Sequence, residues 1–381
     1  MAAIRVIRDQ ETFLGLKGDW DRLVSERFAG HPFLSHFWFA NYYRAYFPDS
    51  PIYILCAYDE GGALIAGLPL VLEKRRLAGI TLEEARLMAG AHSHVNRVLV
   101  TAESGQILSG FLDRALGDGV DLIYLEDLPD CFPDRQWFGD YCHGRKIRLD
   151  VRTVRRSPYI PTAGTFEDYR KGLSRKFREL FNNRLNRINK AGVFDIRTFS
   201  TPESFAQMLA DTKTVAGESW QGENNSGLFS GDDNALFYTS LLKHSLENGY
   251  GRVFILYFEG RPAAFEFHVY HGATEYCLKA EYSQKLTKLS PGGVLDGELV
   301  RRAFESDISV YDLLGFEDEY KLRWTQHVTP YFRYSIFNRT TAAMTAYWIH
   351  CRVAERLRRS NLIRRWVKPH RQGRGNTEHG D

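Results

Sequence analysis

The chain predicts an α/β fold of the α+β kind: two units in tandem, each a mixed, mostly antiparallel sheet flanked by helices. Three observations carry this expectation. A strand, two helices and a hairpin come in the same order twice. A helix and a short apolar strand close each set. The second set also holds a strand–turn–helix–strand block, residues 276–324, with a Ser-Pro-Gly-Gly turn at its centre.

In the first unit Ile4-Arg-Val-Ile-Arg8 alternates as a strand does, because successive side chains face opposite ways. Residues 11–28 predict a helix with Phe13, Leu14, Leu16, Trp20 and Leu23 apolar; 32–47 predict an aromatic-rich one, ended by Pro48-Asp-Ser-Pro51. Residues 52–58 and 64–72 around Gly61-Gly62 predict a hairpin, 107–116 a helix, and Leu122-Ile-Tyr-Leu125 a buried strand. The second unit repeats the order. It has a strand at 194–199, then a helix capped by Thr201 with Pro202 at its first position and Glu203 in its first turn. Helix 234–246 and a hairpin, 252–258 with 263–270 about Glu259-Gly260, follow. Residues 273–282 form the next strand, 294–304 carry apolar residues at helical spacing, and Ile308, Val310, Tyr311, Leu313 and Leu314 make the last apolar run. A basic helix, 166–191, joins the units. The expected division is 1–165, 166–191, 192–339 and a basic amphipathic helix with a disordered tail over 340–381.

Pro291 fixes its own φ and Gly292 and Gly293 accept conformations that other residues avoid, so the turn suits a sharp helix entry. Free N–H groups and the positive dipole end at that entry make an anion site from Leu289, Ser290, Gly292, Gly293 and Val294, or else a plain connection.

Several separated motifs resemble the acyl-CoA N-acyltransferase (GNAT) superfamily, and within it the CelD-like acetyltransferases of bacterial cellulose biosynthesis, which are related to Fem-type aminoacyl transferases. They are Pro32-Phe-Leu-Ser-His-Phe-Trp38, Leu173-Ser-Arg-Lys-Phe-Arg178, Leu289-Ser-Pro-Gly-Gly-Val-Leu295, and Tyr311-Asp-Leu-Leu-Gly315 with Tyr320-Lys-Leu-Arg-Trp324. The glycine of the last signature comes one residue early, and Gln221 stands where relatives carry lysine after Ser219-Trp220. The resemblance implies a GNAT fold, acetyl-CoA as acyl donor with its pyrophosphate on the 289–294 turn, and no metal. Only the second unit has the Pro-Gly-Gly turn before its helix, which makes the first a degenerate half expected to shape the substrate groove.

Composition bounds the rest. The 381 residues are 44% hydrophobic and 25% charged, with a net charge of +3, too mild to imply nucleic acid by itself. Five scattered cysteines without a C-x-x-C pair speak against a zinc or disulfide framework and for a reducing cytoplasm. Neither a secretory signal nor a membrane-spanning run is expected.

Acyl transfer needs a bound thioester, a neutral amine and stabilisation of developing charge. Glu281 is the expected proton relay and Tyr282 the acid for the departing thiolate. Strand periodicity places Lys279 and Glu275 on the face of Glu281. Asp312, inside an apolar run, calls for a partner such as Lys321 or Arg323. The family signature raises Tyr320, Lys321 and Trp324 to candidate site residues. Trp220 with Glu218 is expected to border the acceptor groove, and His94 and Asn96 to line it between the units. Trp348 and Trp366 among six arginines suit a 340–367 helix resting on an anionic membrane, or one docked on the second unit. The leading expectation is an acetyl-CoA-dependent acyltransferase acting on an amine or hydroxyl of a sugar, glycan or envelope precursor, as in exopolysaccharide biosynthesis. The alternatives are a Fem-type transferase using aminoacyl-tRNA and a non-catalytic scaffold.

Overall fold

The structure, a computed structural model, describes residues 2–90, 92–93, 95–219 and 227–353. Its frame is one sheet of twelve strands: β1 (Ala3–Ile7), β2 (Ile52–Tyr58), β3 (Leu64–Leu77), β4 (Ile80–Leu87), β5 (Leu122–Pro129), β6 (Arg148–Pro161), β7 (Phe194–Phe199), β8 (Gly251–Phe258), β9 (Arg261–His271), β10 (Thr274–Tyr282), β11 (Val310–Asp312) and β12 (Val328–Phe337). They lie in the order β1-β2-β3-β4-β5-β12-β6-β11-β10-β9-β8-β7. From either edge the pattern is the same: four antiparallel strands, one parallel pair, then an antiparallel strand at the centre. The parallel pairs are β4 with β5 and β10 with β11, each three residues long. β6 is the last strand of the first half in sequence yet pairs with β11 of the second, and β12 is the last of the second yet pairs with β5 of the first. The two central strands pair along ten registered positions and join both halves in one sheet.

Apolar alternation explains the layers. Ile255, Phe265, Phe267 and Val269 face Met208, Val215, Phe237 and Leu241 of helices Phe205–Gly217 and Gly231–Glu247. Phe254, Leu256 and Ala264 face Ile188 of helix Arg175–Ala191 and Val294, Leu295 and Leu299 of helix Pro291–Phe304. The second half is thus a three-layer sandwich, with a site on the second of these faces.

Local structure differs from expectation where short-range signals competed. The first helix divides at Leu16 into Gln10–Gly15 and Lys17–Phe28. The basic stretch divides into Phe166–Gly172 and Arg175–Ala191, because Ser174 caps the second piece by accepting from the Phe177 N–H. Thr201 begins a helical turn, but its hydroxyl serves Glu203 rather than the helix start. Thr341–Tyr347 is helical and docks on β4 and β12, with Tyr347 against Phe337. The arginines from 356 onward lie outside the described residues. Among those described, no helix is long and apolar enough to cross a membrane.

Candidate active site

β10 and β11 stay paired only from Thr274 to Tyr276. β11 then ends, while β10 runs on to Tyr282 with that edge open. At the same point β10 bulges: Cys277 pairs with His268, but Lys279 pairs with Phe267. The extra residue, Leu278, bends the strand and strengthens its twist. A cavity of about 320 Å³ fills the gap between the parted strands, lined by Glu266, Cys277, Asp296, Tyr311, Tyr320, Lys321 and Trp324 among others.

Helix Pro291–Phe304 walls this gap with Asp296 and Val300, and its N-terminus lies one turn before Asp296. Ser290 takes the left-handed conformation at φ 52°, while Gly292 and Gly293 are helical. The turn chemistry is therefore inverted from the sequence reading: Ser290 accepts the strained backbone, and the glycines serve close packing. A Cβ on Gly293 would lie 2.5 Å from Arg184 Nη1, and one on Gly292 would lie 3.1 Å from the Tyr282 ring. Arg187 Nη2 donates to Ser290 Oγ at 3.0 Å. Pro291 has no N–H, and those of Gly292 and Gly293 have no acceptor within the helix. Two guanidinium groups, two free N–H groups and the helix dipole converge there. Among the described residues no carboxylate lies within ion-pairing distance of Arg184, whose burial pulls its pKa down. An anion relieves that cost, so the chemistry of this end fits a phosphate or pyrophosphate.

Deeper in the cavity lies a network of buried titratable groups. Glu266 Oε2 accepts from His268 Nε2 at 2.8 Å, Cys277 Sγ at 3.2 Å and Tyr311 Oη at 3.2 Å. His268 Nδ1 donates to Glu275 Oε1 at 2.6 Å, and that carboxylate also accepts from Tyr270 and, at 2.7 Å, from Arg302. Burial alone would lower His268, but hydrogen bonds to its two carboxylates hold it above its ordinary value as an imidazolium. Asp296, one turn beyond Gly292 on the same helix, adjoins Glu266; burial first, then that carboxylate, push its pKa far up. Glu266, Cys277 and His268 place metal-type ligand atoms within 4.8 Å of one another. The Glu266 oxygen of that group receives three hydrogen-bond donors, from His268, Cys277 and Tyr311.

The residues named from sequence distribute unevenly. Lys321 is buried on the cavity wall; its Nζ donates to Leu314 O at 2.7 Å and sits 3.6 Å from Asp318, and burial lowers its pKa. Tyr320 is exposed at the rim, while Trp324 is buried edge-on against Phe177. Asp312 is buried, but its partners are the Leu314 N–H at 2.8 Å and Ser157 Oγ at 3.3 Å; Arg323 pairs with Glu319 instead. Burial raises Asp312 to about 6. The bulge reverses side-chain alternation, so Glu275 faces the cavity layer while Lys279 and Glu281 face the opposite one. There Glu281 accepts from Ser219 Oγ at 2.8 Å and the Leu228 N–H at 2.5 Å, and Lys279 lies over Tyr238. The expectation that Glu275 and Glu281 share a face is corrected by that one residue. Tyr282 packs beside Gly292. Leu289 and Val294 flank the helix entry, Val294 fully buried. Asn96 is occupied by Ser93 Oγ at 2.6 Å and by Glu126 O at 3.0 Å, and Glu218 by Ser283 and Lys285. His94 and Trp220 lie outside the described residues. Sequence reasoning passed over Asp296, Glu266 and His268; the signal was two polar residues alternating inside Ala263-Ala-Phe-Glu-Phe-His-Val269, an otherwise apolar strand.

Residues 175–322 match the family described as acetyltransferase (GNAT) domain. No curated protein matches the sequence. Among solved structures, FemX is similar with a TM-score of 0.57 at 11% identity, over 91% of this chain and 99% of that one. The C-terminal domain (DUF2156) of a putative lysylphosphatidylglycerol synthetase from Agrobacterium fabrum gives 0.50 at 12% identity, over 82% and 91%. The chain thus has an α/β fold of GNAT type, a large mixed sheet flanked by helices.

Proposed function

We propose that the protein is an acyl-CoA-dependent acyltransferase, with acetyl-CoA as donor and its reaction centre between the parted ends of β10 and β11. The observation that carries this reading is the helix entry at Ser290–Gly293, where Arg184 and Arg187 meet two free N–H groups one turn before Asp296 of the cavity wall. A thioester donor supplies an activated acyl group. The chain's own part is to hold its phosphates on Arg184, Arg187 and the helix start, and to seat the acyl end against the open edge of β10. Lys321 braces the opposite wall through Leu314 O. The resemblance to CelD-like transferases directs the acceptor towards a sugar, glycan or envelope precursor in the cytoplasm. Calorimetric titration with acetyl-CoA tests the reading: micromolar binding that weakens with salt is expected, and no heat at millimolar ligand refutes it.

A second reading, transfer from aminoacyl-tRNA, is favoured by the exposed Arg175, Lys176, Arg187 and Lys190 along the helix beside the site and by the FemX-like fold. Its mark is tRNA affinity falling steeply with salt. Tight CoA binding without tRNA binding removes it.

A further inference from the structure

The cavity opens because the chain leaves the sheet where β11 ends. The Leu313 N–H still donates to Pro158 O of β6 at 3.0 Å, but the next two residues turn away with left-handed backbones, Leu314 at φ 48° and Gly315 at φ 66°. Glycine accepts that conformation; leucine crowds its own Cβ and keeps it only where neighbours impose it. Leu313 to Phe316 form one wall of the cavity. Side chains from both halves hold this turn. From the second half, the Asp312 carboxylate accepts from the Leu314 N–H at 2.8 Å and Lys321 Nζ donates to Leu314 O at 2.7 Å. From the first, β6 extends past the end of β11, and residues 155 and 157, on one face of that strand, meet the departing chain. Ser157 Oγ donates to Asp312 at 3.3 Å, and Arg155 Nη1 donates to Gly315 O at 3.4 Å. The Arg155 side chain is only 3% exposed. Its Nε donates to Asp127 Oδ1 at 2.6 Å, and its guanidinium carbon lies 3.8 Å from the centre of the Tyr331 ring. Asp127 is itself left-handed, at φ 58°, where β5 and β12 slip register between Leu125 and Leu128. One planar group thus ties a strained residue of the first half to the strained turn of the second. A guanidinium suits the task, because its rigid fork serves a carboxylate and a carbonyl at once while its face stacks on a ring; a lysine ammonium does not.

We propose that Arg155, aimed by Asp127, is a positioning residue of the transfer reaction: it holds Gly315 O and so fixes the cavity wall beside the reacting acyl group. This rests on the acyltransferase reading given above. The first half then acts on the chemistry through one contact, without touching donor or acceptor. A wall displaced by about 1 Å costs about 10²-fold in rate when reacting groups lose their alignment. The donor's phosphates are held elsewhere, on Arg184, Arg187 and the helix entry, so donor affinity does not depend on that wall.

The test uses the full-length protein and two readouts. Hydrogen–deuterium exchange of the Leu314 to Phe316 amides reads the wall, and thiol release from acetyl-CoA, with glucosamine, propylamine or water as acceptor, reads the reaction. Arg155→Lys keeps the charge without the fork, and Asp127→Asn removes the charge that aims it. Arg156→Ala, which breaks an exposed pair with Glu317 at 3.4 Å, is the control. In Arg155→Lys the wall amides are expected to exchange about tenfold faster or more. Its kcat is expected to fall about 10- to 100-fold, while KM for acetyl-CoA changes less than about threefold. Asp127→Asn shows the same split more weakly, and the control keeps wild-type values. Arg155→Ala is expected to recover rate in millimolar guanidinium chloride, which restores the planar donor, and not in methylammonium chloride. Unchanged exchange, unchanged kcat, a KM that rises as far as kcat falls, or equal recovery in the two salts overturns the proposal. If the Arg155 variants do not fold, Asp127→Asn carries both readouts, and wild-type values there overturn it as well. Wild-type protein that releases no thiol refutes the acyltransferase reading, with the brace still read by exchange. Thiol release that every variant matches refutes the positioning role alone.

Discussion

Gly293→Ala is the sharpest probe of the anion end. A methyl group there would sit 2.5 Å from Nη1, 3.0 Å from Cζ and 3.3 Å from Nε of Arg184. Those atoms end a flexible side chain, so the guanidinium moves and the backbone does not. Glycine is helical at this position, and alanine in its place favours the helix by about 0.5–1 kcal/mol. Stability should therefore hold or rise slightly. The anion site loses one of its two guanidinium groups. A charge-assisted hydrogen bond to phosphate contributes about 1.5–3 kcal/mol, so acetyl-CoA affinity should fall at least tenfold, equivalent to about 1.4 kcal/mol. The salt dependence of the remaining binding should shrink with it. Calorimetry at two ionic strengths, beside a urea melt, measures both. Unchanged affinity in a folded variant would detach Arg184 from the donor and refute the phosphate assignment; a variant that unfolds instead would refute the packing argument.

Three further outcomes follow from the geometry. Asp312 is raised from 3.8 to about 6, so the folded state holds its proton more tightly: its stabilising effect is full below pH 4 and is lost as pH rises to 6. Asp312→Asn, which keeps an acceptor for Leu314, should therefore gain up to about 3 kcal/mol at pH 7 and nothing below pH 4; parallel urea-melt stabilities across that window would refute this. Lys321→Ala frees the Leu314 carbonyl from its brace, so turnover should drop about tenfold for a stability loss of about 1 kcal/mol. Initial rates and thermal melts on one preparation check the contrast, and an unchanged rate returns Lys321 to a purely structural role. Glu281→Gln should cost about 1–3 kcal/mol through weakened bonds to Ser219 and Leu228, while its pH–rate profile keeps the wild-type shape, and a displaced limb would bring Glu281 back as a base.

Much of the fold was legible because its signals are local. The hairpin β8–β9, the helix over 294–304 and the apolar run ending at Leu314 each declare themselves within about ten residues, and so does the helix entry at Pro291. What stayed hidden depends on partners far apart in sequence. The exchange of β6 and β12 between halves is invisible to periodicity, since either strand pairs equally well with its own unit on pattern alone. The bulge at Leu278 adds one residue, and one residue reverses a period of two. That slip turns the side chains of Glu281 and Lys279 to the opposite layer and leaves Glu275 beside His268. Asp296 reads as a polar break in an amphipathic helix until Glu266, thirty residues earlier, is brought against it.

The two halves also provide an internal comparison. Both present a parallel pair three residues long, β4 with β5 and β10 with β11, and in both a helix lies between the paired strands in sequence. Topology alone would therefore give two sites. Charge decides otherwise. Helix Gly105–Gly117 is preceded by a turn over Ala102–Ser104 that carries Glu103, and a negative charge near that end disfavours an anion. In the second half the same end faces Arg184 and Arg187. β10 also has a bulge where it leaves β11, whereas β4 continues in unbroken register with β3. The first half thus keeps the frame without the two arginines at the helix entry and without a bulge where its strands part.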